Sequence, residues 1–473
     1  MMDREAFRKY GHQLVDRIAD YYENIEELPV KSQVLPGDII SKIPKDAPQK
    51  GESMDEILMD FESIILPGIT HWQHPNFHAY FPANTSYPSM LAEMLTSAMG
   101  AQCMIWETSP AAAELEEQVM NWLIKLSALP PSWHGVIQDT ASTATLAAIL
   151  SAREHCSDFQ INKKGLSNQK MRVYCSTETH SSIEKAVKIA GLGSENLVKI
   201  ACDEEAAMIP EKLRKAIKAD LHNGYRPLIV VAAIGTTGTV GIDPLEPLGK
   251  ICEEYNIWLH VDAAYAGTAM ILPEYQYMLK GVEQADSYVF NPHKWMFTNF
   301  DCTAYFVKNK ETLIKTFEIL PEYLKTRTEG LVNNYRDWGI PLGRRFRALK
   351  LWFVIRNFGV EGMQKTLRKH IRMAEDLTAE ITAHADFDTV VPTTLNTICF
   401  RYVRNNTSDE TMNALNKKLI EKINASGEAY LTHTVFKGLY TIRLVIAQTY
   451  IEQKHVDKTW AVIRQFANNL SDE

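Results

Sequence analysis

The chain has 473 residues, 45% of them hydrophobic and 23% charged, with a formal charge of −8 from 50 basic against 58 acidic side chains. That length accommodates two or three domains with cores of their own, and the acidic balance leaves no electrostatic footprint for nucleic acid or an anionic membrane. The charged start Met1-Met2-Asp3-Arg4-Glu5 lacks a signal peptide's apolar core, no apolar run approaches a bilayer span, and the 7 cysteines form no Cys-x-x-Cys pair, so the expectation is a cytoplasmic protein without disulfides or zinc.

In chain order, Phe7, Leu14, Ile18, Tyr21 and Ile25 recur at helical spacing and predict an amphipathic helix over 7–25. The Pro- and Gly-bearing stretch 34–49 reads as an extended surface linker, and a second helix over 54–65 should stop at Pro67-Gly68. His71, His74 and His78 lie close together, but Pro75 interrupts the helical spacing that paired zinc histidines use, so this reads as an aromatic loop and no metal is expected. From Val136 onward strands (173–175, 198–201, 228–233, 257–261, 287–290) alternate with helices (142–155, 182–191, 210–222, 244–255). Strands separated by crossover helices predict an α/β fold with a large, mostly parallel sheet covered on both faces and a ligand pocket beyond the carboxyl ends of the strands. A long helix over 344–358 should lead into a smaller C-terminal α/β domain with strands over 397–402 and 440–445. The expected division is an N-terminal helical segment, 1–85, a large domain, 86–360, and a small one, 361–473.

Two stretches carry chemistry. The apolar run Ser287-Tyr288-Val289-Phe290 ends in Asn291-Pro292-His293-Lys294-Trp295, where neighbours that turn a lysine inward would weaken its preference for the charged form. Taken alone, Lys294 is more commonly a surface residue. About thirty residues upstream, Trp258-Leu259-His260-Val261-Asp262-Ala263-Ala264 reads as a buried strand that delivers one carboxylate into a run of small residues. Buried carboxylates pair with cations, and a lysine bonded to an aldehyde with an Asp on a protonated ring nitrogen is the signature of pyridoxal 5'-phosphate (PLP). Asp262 could otherwise be a cap. The cofactor phosphate would need donors at a helix start, and Asp139-Thr140-Ala141-Ser142 precedes such a helix.

These motifs, with Glu178-Thr179-His180-Ser181-Ser182, Pro67-Gly68-Ile69-Thr70-His71-Trp72, Ala79-Tyr80-Phe81-Pro82 and Pro341-Leu342-Gly343-Arg344-Arg345-Phe346-Arg347, resemble the group II PLP-dependent decarboxylases. Specifically, they are similar to the aromatic L-amino-acid decarboxylase branch, over nearly the whole chain. The resemblance implies the aspartate aminotransferase-like fold (fold type I) and a homodimer whose N-terminal helix packs on the partner and whose active site lies at the interface. It implies Lys294 as the aldehyde-bonding amine, Asp262 on the ring nitrogen and His180 stacked on the ring near the departing carboxylate. His180 could instead cap the helix beginning at Ser182. Ala141, Ser142, Asn291 and His293 would hold the phosphate, with Thr237 and Ala264 near the ring. Trp72, Tyr80, Phe81 and Pro82 would surround the substrate side chain, with Met104 and Ile105 reaching in from the partner, and Gly343 would make room for an indole.

Tyr323, in a polar stretch without apolar periodicity, would protonate Cα after CO2 leaves; relatives with Phe there release an aldehyde instead. Two positions depart from the animal enzymes: Ala83 stands where they carry Thr, and Asp139 where they carry Gly, so Asp139 must turn from the phosphate or cap the helix. The expected activity is decarboxylation of aromatic L-amino acids to arylalkylamines, indolic substrates favoured and phenylalanine, tyrosine or DOPA allowed. The alternatives are aromatic acetaldehyde synthesis on the same scaffold and histidine decarboxylation.

Overall fold

A computed structural model describes residues 2–166, 170–319 and 331–471. Its centre is a seven-stranded sheet of β1 (His134–Gln138), β2 (Met171–Ser176), β3 (Leu197–Ile200), β4 (Arg226–Ala233), β5 (Trp258–Asp262), β6 (Ser287–Phe290) and β7 (Thr303–Val307), ordered β1-β7-β6-β5-β4-β2-β3. The strands from β6 to β3 run parallel, while β7 is antiparallel to both β6 and β1.

Because side chains alternate along a strand, each strand feeds two cores. Tyr174, Val230, Leu259, Tyr288 and Phe306 pack against helices Pro110–Leu126, Pro210–His222 and Leu245–Tyr255. Val173, Ile229, Trp258, Val289 and Tyr305 pack on the opposite face against Ala141–Cys156 and Ser182–Ile189. Leu259 and Val261 belong to the first core, so His260 and Asp262 face the helix Ala141–Cys156. The His260 Nε2 accordingly lies 3.3 Å from the Thr145 hydroxyl on that helix.

A second, antiparallel sheet holds β8 (Phe387–Thr389), β9 (Thr397–Tyr402), β10 (Thr432–Phe436) and β11 (Leu439–Val445) in the order β10-β11-β9-β8. Helices Asp409–Ser426 and Gln453–Ser471 share its core. The segment 76–86 is laced between the two sheets. The His78 N–H donates to the Tyr430 carbonyl (2.9 Å) and the Val445 N–H to the His78 carbonyl (3.1 Å), while the Asn84 N–H donates to the His293 carbonyl (3.0 Å).

Three expectations are corrected. The stretch 34–49 is exposed but folded into successive turns rather than extended, with Gly37 at φ +100°. The second helix is α-helical only over Met54–Asp60, then widens to a π turn at Phe61–Ile65 and tightens to a 3₁₀ turn at Leu66–Gly68. The long helix starts at Arg347, not 344, and continues to Ala383 past a break at Gly359 (φ 65°). Arg344 is held out of it: its backbone N–H donates to Gln102 Oε1 (3.0 Å), and its guanidinium reaches back to both oxygens of buried Glu116 (2.6 and 3.0 Å) and to the carbonyls of Cys103 and Ile137. The edge strand β1, and β7 beside it, did not stand out in the sequence.

The N-terminal helix, Arg4–Glu23, buries none of its residues, and Phe7, Leu14 and Ile18 are exposed. Among the described residues, no helix is long and apolar enough to cross a membrane.

Removing one member of a buried ion pair strands the other charge, at a cost of about 3–5 kcal/mol. Glu116→Ala, which would leave the Arg344 guanidinium without its carboxylate, should lower the urea-unfolding free energy by that amount; a loss below about 1 kcal/mol would mean the pair is not holding this corner.

Candidate active site

The register of β5 against β6 brings the two expected groups together. Asp262 pairs with Val289, the Ala263 N–H donates to the Val289 carbonyl (2.9 Å), and the Asn291 N–H donates to the Ala264 carbonyl (3.0 Å). The chain then breaks at Pro292 into a single turn, Pro292–Trp295, that carries Lys294. Lys294 and Asp262 line one cavity of about 230 Å³, together with Thr140, Ala141, Ser142, His180, Thr236, Thr237, Ala264, Asn291 and His293. Thus the nine expected cofactor residues, drawn from five separate stretches of chain, converge on one space.

Lys294 is half-buried, with its Nζ turned to the cavity 5.2 Å from the centre of the Phe81 ring. Burial lowers its pKa to about 8; Asp262 opposes the shift and Arg443 adds to it. Near neutrality about one amine in ten is then unprotonated, against fewer than about one in a thousand for an ordinary lysine. Asp262 is buried, and its Oδ1 accepts the Ala264 N–H (3.0 Å).

At the far end stands the start of helix Ala141–Cys156. Thr140 caps it, its Oγ1 accepting the Thr143 N–H (3.3 Å), so the amides of the first two residues, Ala141 and Ser142, are free for an anion. Asp139 does not cap: its Oδ1 accepts the Thr140 N–H (2.7 Å), and it lines a separate small cavity with Arg344 and Arg347. The carboxylate therefore turns away from the anion site. Asn291 accepts from the Thr303 hydroxyl (2.7 Å), and His293 accepts the Cys302 N–H at Nδ1 (2.9 Å), which leaves the proton of its neutral ring on Nε2. Burial, with Lys294 next to it, holds His293 neutral, its pKa near about 3.

His180 touches both the helix start and the cavity. Its Nδ1 accepts the Ser182 N–H (3.2 Å) at the helix start, and its ring lines the cavity, where burial and then Lys294 lower its pKa. Its edge is exposed to solvent through a wider vestibule of about 600 Å³, which shares Phe81, His180, Thr237 and Lys294 with the cavity and extends to Lys31, Tyr80, Tyr430, His433 and Arg443.

The expected substrate residues divide. Tyr80 and Phe81 line the vestibule, Trp72 stacks on Tyr80 (5.7 Å between centres, 15°), and Pro82 is buried. Within one chain Met104, Ile105 and Gly343 do not line the Lys294 cavity; Gly343 borders the small cavity beside Asp139, where an added Cβ would stand 3.4 Å from Gln102 Nε2. Tyr323 lies outside the described residues. The three loop histidines hold structure: His71 Nδ1 meets the Tyr21 hydroxyl (2.9 Å), His74 Nδ1 accepts the Asn76 N–H (2.9 Å), and His78 is bonded through both ring nitrogens.

Sequence reasoning missed two supports, Tyr265 and Asp243, and expected of a third, Arg443, only that it be structural or near the cofactor rather than a clamp on the substrate carboxylate. Tyr265 lies between Phe81 (3.8 Å, 15°) and Trp295 (5.2 Å, 14°), a column of rings against which the Lys294 turn rests; Tyr265 sat inside the Asp262 motif and could have been flagged. Asp243 is fully buried and accepts the Met208 and Ala233 N–H groups (both 2.7 Å), fixing the loop that carries Thr236 and Thr237; burial raises its pKa to about 7. Arg443 donates to the carbonyls of Gly238 (3.1 Å) and Tyr80 and lies 4.2 Å from the Phe81 ring centre. No local signal marks Asp243, and the carbonyls that Arg443 holds, those of Gly238 and Tyr80, lie more than 200 residues from it.

The pyridoxal-dependent decarboxylase conserved domain matches residues 36–403. The chain is 42% identical over 480 residues to tryptophan decarboxylase 2 of Oryza sativa subsp. japonica, covering 99% of this chain and 96% of that one. It is also 42% identical over 479 residues to phenylacetaldehyde synthase of Arabidopsis thaliana, covering 99% and 97%. The crystal structure of Oryza sativa TDC with PLP and tryptamine superposes with a TM-score of 0.95 at 33% identity, over 99% of each chain.

Asp262 is the nearby group that raises the Lys294 pKa. In Asp262→Asn the amine should lose its proton at lower pH, so the pH profile for borohydride fixation of an added pyridoxal-type aldehyde on Lys294 should move down; an unmoved or rising midpoint would show that the carboxylate does not act on the amine.

Proposed function

The chain belongs to the pyridoxal-dependent decarboxylases, PLP-dependent carboxy-lyases, and on that premise we propose that it converts aromatic L-amino acids to arylalkylamines and CO2, with tryptophan and other indolic substrates preferred. The observation that carries this reading is the donor set of one cavity: a neutralisable lysine, a buried carboxylate and the open start of a helix, with no arginine among the described residues lining it. PLP fits that set, since its aldehyde, ring nitrogen and phosphate each meet a group of matching chemistry. When bound, the cofactor supplies a positively charged conjugated ring that takes up the electron pair left on Cα as CO2 departs.

The protein's own residues do the rest. Lys294 would hold the cofactor by its aldehyde through the unprotonated amine and would give place to the substrate amine. Asp262 would hold the proton on the ring nitrogen, and the Ala141 and Ser142 amides with the Ser142 hydroxyl, Asn291 and His293 would hold the phosphate. Thr237 and Ala264 border the ring. His180, neutral and with its proton on Nε2, offers a donor near the scissile carboxylate without holding it in a salt bridge. An enzyme that must release this carboxylate gains nothing from an arginine clamp on it. Tyr323 delivers the proton to Cα, which closes the reaction to an amine.

An aromatic side chain suits the ring-lined side of the vestibule at Tyr80, Phe81 and Tyr430. The indole preference rests on Gly343, with Met104 and Ile105, approaching from a partner subunit. A homodimer is supported by exposed apolar residues on two helices, Phe7, Leu14 and Ile18 on one and Leu91, Met94, Leu95 and Met99 on the other. We place the protein in the cytoplasm.

Holoenzyme given a panel of L-amino acids should release amine and CO2, with kcat/KM highest for tryptophan and measurable for phenylalanine, tyrosine and DOPA; a clear preference for histidine would overturn the aromatic assignment. Tyr323→Phe should divert product from amine to aldehyde, ammonia and hydrogen peroxide, and an unchanged amine yield would remove Tyr323 from the mechanism.

A further inference from the structure

The vestibule outside the Lys294 cavity has an unbalanced charge. Its lining includes Lys31 and Arg443 with His180 and His433, and no Asp or Glu among the described residues; Lys294, which it shares with the inner cavity, is matched there by Asp262. Arg443 is 3% exposed, and neither it nor Lys31 makes an ion pair among the described residues. Two nitrogens of the Arg443 guanidinium are bonded to the carbonyls of Gly238 and Tyr80, and its Nη2 is buried without a partner. Lys31 sits at the outer end with its Nζ 5.7 Å from the centre of the Tyr430 ring, and the positive charge of Lys417 is felt at His433. Asp262, in the inner cavity, acts on Lys294 and His180; on the outer side Glu178 has its Oε2 3.4 Å from where a Cβ on Gly238 would lie, and burial raises its pKa, which weakens its hold as a counter-charge.

A buried cation without a carboxylate is costly, and a cleft of one sign with low-dielectric walls focuses its field. The Arg443 Nη2 is fully enclosed, so the guanidinium cannot grip a ligand and acts on it only through that field. We propose that this vestibule is a charge filter: it favours ligands that bring a carboxylate and disfavours the same skeleton carrying only an ammonium. This rests on the decarboxylation reading for its consequence. The substrate enters with a carboxylate and leaves without one, so a fixed positive potential that tolerates the zwitterion pushes the cationic amine out. The reaction itself removes the group that the vestibule favours, and product release is thereby assisted without any moving part.

The test uses holoenzyme and a matched pair of probes with one skeleton: 3-(indol-3-yl)propanoate, an anion, and tryptamine, a cation. Their dissociation constants are measured by calorimetry for the native protein, Lys31→Glu, Lys31→Gln, and Lys212→Glu on the exposed face of helix Pro210–His222 as a control. Reversing one charge changes it by two units, which across roughly 10 Å of water-like medium amounts to about fourfold in binding. Lys31→Glu should weaken the propanoate about fourfold and tighten tryptamine about fourfold, Lys31→Gln should do half of each on a logarithmic scale, and Lys212→Glu should do neither. Both shifts should shrink towards nothing in 1 M salt.

Opposite signs for the two probes are what a damaged fold or a disturbed subunit contact would not produce. Shifts of the same sign, or none, overturn the filter, and so would a Lys31→Glu protein whose changed affinities track a changed oligomeric state in sedimentation. If native holoenzyme binds the pair as expected but releases no amine from any aromatic amino acid, the decarboxylation reading fails and the filter stands.

Discussion

The site depends on an amine held where water cannot fully solvate its charge. Lys294 is brought there by backbone pairing: β5 and β6 run parallel and in register, Asp262 opposite Val289, so the chain emerging from β6 must pass the carboxylate that ends β5. Proline at 292 stops the strand, and one turn later the lysine faces back over the sheet edge. Burial alone would push the pKa lower still; the Asp262 carboxylate restrains it, so the amine is poised near physiological pH rather than permanently neutral. A change of register by one residue would turn Asp262 to the opposite core and separate the two groups.

The second constraint is the seam between the two sheets. Tyr80 takes a left-handed backbone conformation (φ 53°), uncommon for a tyrosine, and both of its backbone polar groups are tied to the C-terminal sheet, the N–H to Thr432 Oγ1 (3.1 Å) and the carbonyl to Arg443. Strain at this residue turns Phe81 inward between Tyr265 and the Arg443 guanidinium, beneath the Lys294 Nζ. The small sheet thus sets the position of an aromatic ring in a site built mainly by the large one.

What was legible in the sequence follows the range of the interactions. Strands buried on both faces, such as Leu228–Ala233 within β4, announce themselves as continuous apolar runs, and the helix Pro210–His222 has both ends written locally, with proline at its start. Asp262, His180, Thr237, His293 and Lys294 were legible because each stands at or just after the end of a strand, whereas Ala141 and Ala264 carry no side chain that marks them. The edge strand β1 and its neighbour β7 were not legible, since a short antiparallel pair is specified by partners more than 150 residues apart, as His134 and Val307 are. The late start of the long helix was hidden for the same reason: the partners that pull Arg344 away, Gln102 and Glu116 among them, lie more than 200 residues upstream. Asp139 shows the complementary case, in which a residue that looks hostile to a phosphate is made harmless by a local bond to the Thr140 N–H.

Field and contact play different parts here, and the distinction bears on why the chemistry is decarboxylation. An arginine that grips a substrate carboxylate stabilises it as a carboxylate, and that stabilisation is lost when CO2 forms, so it raises the barrier. Arg443 is positioned to avoid this: its donors are occupied by the Gly238 and Tyr80 carbonyls or enclosed, and the Phe81 ring covers its face. Its charge, lowered in pKa to about 10 by burial but still present at neutral pH, acts at a distance where the attraction is weak and undirected. A site whose lining joins a histidine held below its usual pKa, a lysine poised between its charged and neutral forms, and a buried guanidinium withdrawn from contact can attract a carboxylate without keeping it, which is what a carboxy-lyase requires.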